Sequence, residues 1–120
     1  MPRRTVNRQD ATAALETART TPAAGLEPDE LRRIVRDTLL WFAQQHPGKS
    51  VEVRVPPIAA VQAVEGLRHT RGTPPNVVET DAATWVDLVA GRLGWQDAVA
   101  DGRVRASGTR ADLSALLPLT

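Results

Sequence analysis

Apolar residues recur at helical spacing after Glu27 and then switch to strict alternation after Ser50. Leu31, Ile34, Val35, Thr38, Leu39 and Phe42 share one helical face, which Leu40 and Trp41 broaden. Arg32, Arg33, Arg36 and Asp37 fall outside that stripe, and Asp29 can pair with Arg33 one turn on. Pro28 suits the first helical position, and Glu27, Asp29 and Glu30 set negative charge against the positive end of the helix dipole. His46-Pro47-Gly48 ends the helix, because Pro47 disfavours helical geometry at His46. A shorter helix is predicted from about Arg8 to Thr20, capped by Asn7, with a thin stripe of Ala11, Ala14, Leu15 and Ala18.

Val51, Val53 and Val55 alternate with Glu52 and Arg54, the pattern of a half-buried strand. Pro56-Pro57 breaks it at a corner or an edge. From Ile58 to Val64 both parities are apolar except for Gln62, so this strand is expected to be covered on both faces or to lie along a cavity. Residues 66–75 read as a loop and Asn76 to Thr80 as a third strand. Asp81 caps a helix through Trp85, Leu88 and Val89 to Gly91, and a short helix runs from Trp95 to Ala100. Arg103 to Ser107 alternates as a strand with Val104 and Ala106 inward, and a terminal helix is predicted over Ala111 to Leu117. Helices and strands interspersed without a βαβ repeat predict an α+β fold, with helices packed on a mostly antiparallel sheet.

Composition narrows the function more by exclusion than by signal. At 120 residues the chain is one domain's worth, and 42% hydrophobic with 24% charged residues is an ordinary globular balance. Fifteen basic against fourteen acidic side chains give a net charge of +1, no basis for binding nucleic acid or an anionic membrane. Fourteen arginines against one lysine, Lys49, follow from a GC-rich genome without any selection for arginine chemistry. The absence of cysteine removes disulfides, thiolate metal sites and cysteine nucleophiles together. No apolar run approaches a membrane span and the start does not read as a signal peptide, so stable membrane insertion is not expected and a cytoplasmic protein is.

Catalytic signatures are missing from the sequence. His46 and His69 lack metal-ligand spacing, and no phosphate-binding glycine loop or nucleophile elbow is present, so neither a metal nor a cofactor is expected. Glu52 and Glu65 could face each other across a hairpin, as any two sheet carboxylates could. Arg68, His69 and Arg71, with Thr70, Gly72 and Thr73, form an anion-binding candidate, although a solvated polar loop has the same composition. Arg3, Arg4 and Arg8 read as a flexible basic end. Trp41, Trp85 and Trp95 sit among apolar neighbours as core residues, or line an apolar cavity over the alanine-rich strand of Ala59, Ala60 and Ala63.

The order from Asn76 onward resembles the C-terminal half of the sterol carrier protein family. It runs from Val77-Val78 through Asp81-Ala82-Ala83-Thr84-Trp85, Leu88 to Leu93 and Ala98 to Gly102, then to the strand at Arg103–Ser107 and an amphipathic tail. Val51 to Pro57 and His69 to Asp81 resemble its bacterial, chiefly actinobacterial, branch. The resemblance implies residues 26–120 as the domain and 1–25 as an N-terminal extension with a short helix. It also implies a five-stranded sheet with helices on one face and an apolar tunnel between them. Leu39, Phe42, Trp85, Leu88, Val89, Leu113, Leu116 and Leu117 would line that tunnel. Arg68 to Pro75 replaces a strand expected in the family. The implied function is non-enzymatic binding or transfer of a fatty acid, acyl-CoA, phospholipid or sterol-like molecule. Two alternatives stand beside it: an accessory domain of an enzyme, as in the similar C-terminal part of mycothiol-dependent maleylpyruvate isomerases, and anionic-ligand recognition by the Arg68–Pro75 loop.

Overall fold

The strongest amphipathic stripe becomes the longest helix in a computed structural model, which describes residues 4–66 and 76–119. This helix, α2 (Pro28–Gln45), buries Ile34, Val35, Thr38, Leu39 and Phe42, the face the sequence marks. Its exposed side carries i,i+3 pairs, Arg32 with Asp29 and Arg33 with Glu30, in place of the expected Asp29–Arg33 pair. Helix α1 (Arg8–Thr20) precedes it, and the Asn7 side chain accepts from the Asp10 N–H at 2.7 Å as the cap. Burial pushes the Asp37 carboxyl of α2 upward; Arg36 and Arg33 oppose that shift and Asp10 adds to it.

Among the described residues four strands form one sheet in the order β2-β1-β3-β4, with β1 Val51–Val55, β2 Ala59–Ala63, β3 Asn76–Thr80 and β4 Val104–Ser107. This corrects the implied five strands, and the sheet is mixed: two of its ladders are antiparallel, as expected of most, and one is parallel. β1 pairs antiparallel with β2 but parallel with β3, placing Val51 opposite Asn76. The physical reason is connectivity. β2 brings the chain back to the level of Val51, where Ala63 stands opposite it, so a strand that starts at that level on the free side of β1 runs parallel to β1. Residues 67–75, where the replaced strand was expected, lie outside the described residues.

Val51, Val53, Val55, Ala63, Val78 and Val104 are buried on the helix-bearing face. Across the opposite face an ion-pair ladder spans three strands, with Arg54 on Glu52 at 2.6 Å and on Glu79 at 3.9 Å, and Arg105 on Glu79 at 2.8 Å. These pairs are exposed, so they specify register more than they stabilise. β2 lies at the sheet edge with Ala60 and Gln62 exposed, so it is not covered on both faces. Ile58 belongs to the turn, its N–H donating to Val55 O at 2.9 Å.

A tight junction fixes where α2 hands over to the sheet. The Val64 N–H donates to His46 O at 2.7 Å, while Val64 O accepts the Ser50 N–H at 3.0 Å and the Ser50 hydroxyl at 2.7 Å. These bonds hold Val64 at φ 66, a left-handed conformation that costs a β-branched residue energy. Gly48 at φ +151 makes the approach possible, since a Cβ there would stand 2.2 Å from the Val64 carbonyl.

Helices α3 (Ala82–Ala90) and α4 (Trp95–Ala100) complete the helical layer. Asp81 caps α3 by accepting from the Thr84 N–H at 2.8 Å, and Gly91 closes it at φ 82. Arg92, just beyond, donates to the carbonyl of Ala18 and, at 3.4 Å, to those of Arg19 and Thr21, with its other side held by Asp87 at 2.9 Å. One guanidinium thus satisfies orphan carbonyls at the negative end of α1 and ties that helix to α3. Ala14, Leu15 and Ala18 join the common core, so the thin alanine stripe permits close approach rather than loose attachment.

The terminal helix expected over Ala111 to Leu117 does not form; residues 108–119 run as an irregular strap with turns at 109–110 and 114–116. Seven residues are short for a helix nucleus, and Pro118 stops it immediately after Leu117. Asp112 competes as well: its carboxylate accepts from the Ser114 N–H at 2.9 Å. Hydrogen bonds from the Ser114 side chain and backbone hold the Asp112 pKa below the usual carboxylate value. Replacing Arg92 with Met should cost about 1.5–3 kcal/mol, the usual worth of hydrogen bonds to a charged group. Urea unfolding would measure it, and hydrogen exchange should quicken first in α1.

Candidate functional site

Trp85 stands at the centre of the layer between helices and sheet. It is fully buried, its indole N–H donates to Thr38 Oγ1 of α2 at 2.9 Å, and its ring meets Phe42 edge-on at 5.8 Å between centroids. Thr38 passes its own proton to Ile34 O at 2.7 Å, so the buried polar atoms at this contact are satisfied. Leu39, Phe42, Trp85, Leu88, Val89 and Leu113 belong to one buried cluster, and Leu116 and Leu117 pack against it. The structure therefore brings all eight proposed tunnel residues together.

Two clefts flank this cluster. The first, about 270 Å³, lies between the end of α3, the start of α4 and the strap, with Leu88, Leu93, Trp95, Ser114, Leu117 and Pro118 on its walls. Asp97 stands among its lining residues and makes the cleft inhospitable to an anionic head. Leu88 and Leu117 connect it to the core cluster. The second, about 230 Å³, lies where α2 meets the edge strand β2, lined by Leu40, Ala43, Gln44, Val61 and Gln62 together with Arg4. Of the alanines of β2, its lining includes Ala60 but neither Ala59 nor Ala63, and it includes no tryptophan. A cavity of about 150 Å³ holds a benzene ring, and drug-sized pockets run to about 300–1,000 Å³. Each cleft as it stands therefore accepts a ring or the end of a chain.

A larger hollow of about 470 Å³ beside Pro56, Thr80 and Asp81 is polar. Its two arginines are already committed, Arg103 to Asp101 and Arg105 to Glu79, both at 2.7–2.8 Å. The bond to Asp101 raises the Arg103 pKa further. Glu52 stands opposite Gln62 rather than Glu65 and binds Arg54, so no carboxylate pair faces across the hairpin. No cluster of three or more potential metal ligands occurs among the described residues. Arg68, His69 and Arg71 lie outside the described residues.

A family model described as bacterial SCP ortholog matches residues 27–119. The chain belongs to this sterol carrier protein family. Its α2, four strands, α3, α4 and strap all fall inside the match, while α1 and the segment before it lie outside. No curated protein matches the chain. Lipid binding or transfer is what the family suggests at a general level, and its domains are generally non-enzymatic carriers.

Trp95 was named from sequence as a core or cavity-lining residue, whereas Leu93 and Pro118 of the first cleft and Arg4, Leu40 and Ala43 of the second were not singled out as wall residues. For Trp95 a signal existed in its position after Gly94 at a helix start. For Arg4 none did, since its place depends on a contact 38 residues away between Val6 and Gln44.

The indole N–H groups of Trp41 and Trp85 differ in a way that stability measurements can read. Among the described residues Trp41 Nε1 is buried without a hydrogen-bond partner, whereas Trp85 Nε1 is bonded. Trp85→Phe should cost about 2–3 kcal/mol, from the lost bond plus a cavity. Trp41→Phe should change stability by less than about 1 kcal/mol, because removing an unpaired buried donor offsets the lost contact. Denaturant unfolding of both variants would measure the difference.

Proposed function

We infer that the chain binds a lipid-class apolar molecule without covalent chemistry, admitting its tail through the cleft at Leu88, Trp95 and Leu117 into the layer between helices and sheet. The observation that carries this reading is the way the strap is fastened. Its bonds to the rest of the fold lie at its two ends: the Arg110 N–H donates to Asn76 Oδ1 at 2.9 Å, and the Leu119 N–H to Val89 O at 3.1 Å. Arg19 adds a bond to Leu119 O at 3.0 Å. Between these anchors, the backbone bonds of residues 112–117 among the described residues are internal, Leu116 N–H to Leu113 O and Ser114 N–H to Asp112. A segment held at its ends and packed by a few side chains opens at lower cost than the sheet.

The energetics favour exchange of side chains for ligand. Lifting Leu113 out of the core exposes a leucine worth about 1.5–3 kcal/mol, while each buried methylene of an entering tail gains about 0.8 kcal/mol. About four methylenes offset Leu113, and a longer acyl chain leaves a surplus. The anionic or polar head would remain outside, away from Asp97. Membrane anchorage is not part of this reading, and no helix of the described residues is long and apolar enough to cross a membrane.

A fatty acid brominated near the end of its chain tests the route. It should quench tryptophan fluorescence saturably, and Trp95→Phe should remove most of the quenching while leaving binding intact. Equal quenching in the variant would place the ligand elsewhere. A response that grows linearly without saturation would reject a bound complex.

A further inference from the structure

We propose that the second cleft, between α2, β2 and the N-terminal segment, binds a small organic anion, with its apolar body against Leu40, Ala43 and Val61 and its head on Arg4. This site goes beyond the lipid reading and does not depend on it, since the two clefts share no lining residue.

The segment before α1 is held in place by a reciprocal main-chain clamp. The Val6 N–H donates to Gln44 Oε1 at 2.7 Å, and Gln44 Nε2 donates back to Val6 O at 3.0 Å. Val6 is buried, so the clamp sits in a partly desolvated place where both bonds count. It seats Arg4 on the wall of a cavity whose other walls belong to α2 and the edge of the sheet. The clamp joins a part of the chain outside the family match to α2, which lies within it. The cavity is thus completed by residues that lie outside the family match.

Charge and size choose the ligand. Arg4 is the one charged residue lining the cleft, and it forms no ion pair among the described residues. A guanidinium presents a planar fork that matches a carboxylate or a phosphate in two parallel bonds. The 230 Å³ exceeds the roughly 150 Å³ that holds benzene but falls short of a drug-sized pocket, so the body is about one ring or a short branched chain. Gln44, whose amide is occupied by Val6, has little left to offer a second polar group. The chemistry is one anionic head on one compact apolar body.

Amide NMR of the full chain, titrated separately with benzoate, phenyl phosphate and benzyl alcohol, tests this. At least one anion should bind saturably and shift the amides of Leu40, Ala43 and Val61, and should bind about fivefold or more tighter than the neutral alcohol. The better anion identifies the head as carboxylate or phosphate. Arg4→Gln should weaken that anion about five- to tenfold, and Ala43→Leu should abolish binding by filling the cleft while keeping the remaining spectrum. Unchanged affinity in Arg4→Gln, equal binding of benzyl alcohol, or no saturable shift at this cleft with either anion would overturn the proposal. Shifts confined to Leu88, Trp95 and Leu117 would also overturn it, while leaving the lipid reading intact.

Discussion

Between Trp85 and Thr38 a single buried hydrogen bond joins the largest side chain of the core to the middle of the longest helix. An indole in an apolar layer must satisfy its N–H or lose the benefit of its area, and a threonine in mid-helix must place its hydroxyl somewhere. Each solves the other's problem at 2.9 Å. The bond fixes the spacing of α2 and α3, and with it the thickness of the layer above the valines of β1. Phe42 fills the remaining angle edge-on, and Leu39, Leu88, Val89 and Leu113 close around the ring. The apolar interlayer is thus present as a packed core, with the strap's Leu113, Leu116 and Leu117 on one side of it.

That asymmetry links stability to function. The sheet side is bound by ladders on both flanks of β1 and by the Val64–Ser50–His46 junction, so it is a poor place for a ligand to open the fold. The α1 side is tied by Arg92 across to Ala18 and Thr21. Between its two end anchors the strap reaches the cluster through side chains. On the proposed lipid-binding reading, the wall that yields must do so at a cost comparable to what a tail returns, and a few leucines meet that condition.

The sequence was most informative where periodicity was long or capping chemistry explicit. The α2 stripe, the Val51–Val55 alternation and the Asn7 and Asp81 caps were legible because each depends on neighbours within a few residues. The parallel β1–β3 pairing was not, because strand direction is set by the chain's return path rather than by alternation. The terminal leucines imitated a helix, yet Asp112 and Pro118 bracket too few residues for one to nucleate. Trp85 was legible as an aromatic anchor, but its bond to Thr38 spans 47 residues and leaves no mark in either local pattern. Arg4 is the opposite case, a residue with every appearance of a loose basic end that a distant glutamine draws onto a cavity wall.

Native mass spectrometry of the purified full chain, as isolated and after organic extraction with added oleate, tests the central claim most directly. The account predicts a one-to-one adduct that extraction removes and oleate restores, at micromolar concentrations where benign surface binding is absent. A bare mass under both conditions, with oleate adding either nothing or an unlimited ladder of copies, would contradict it.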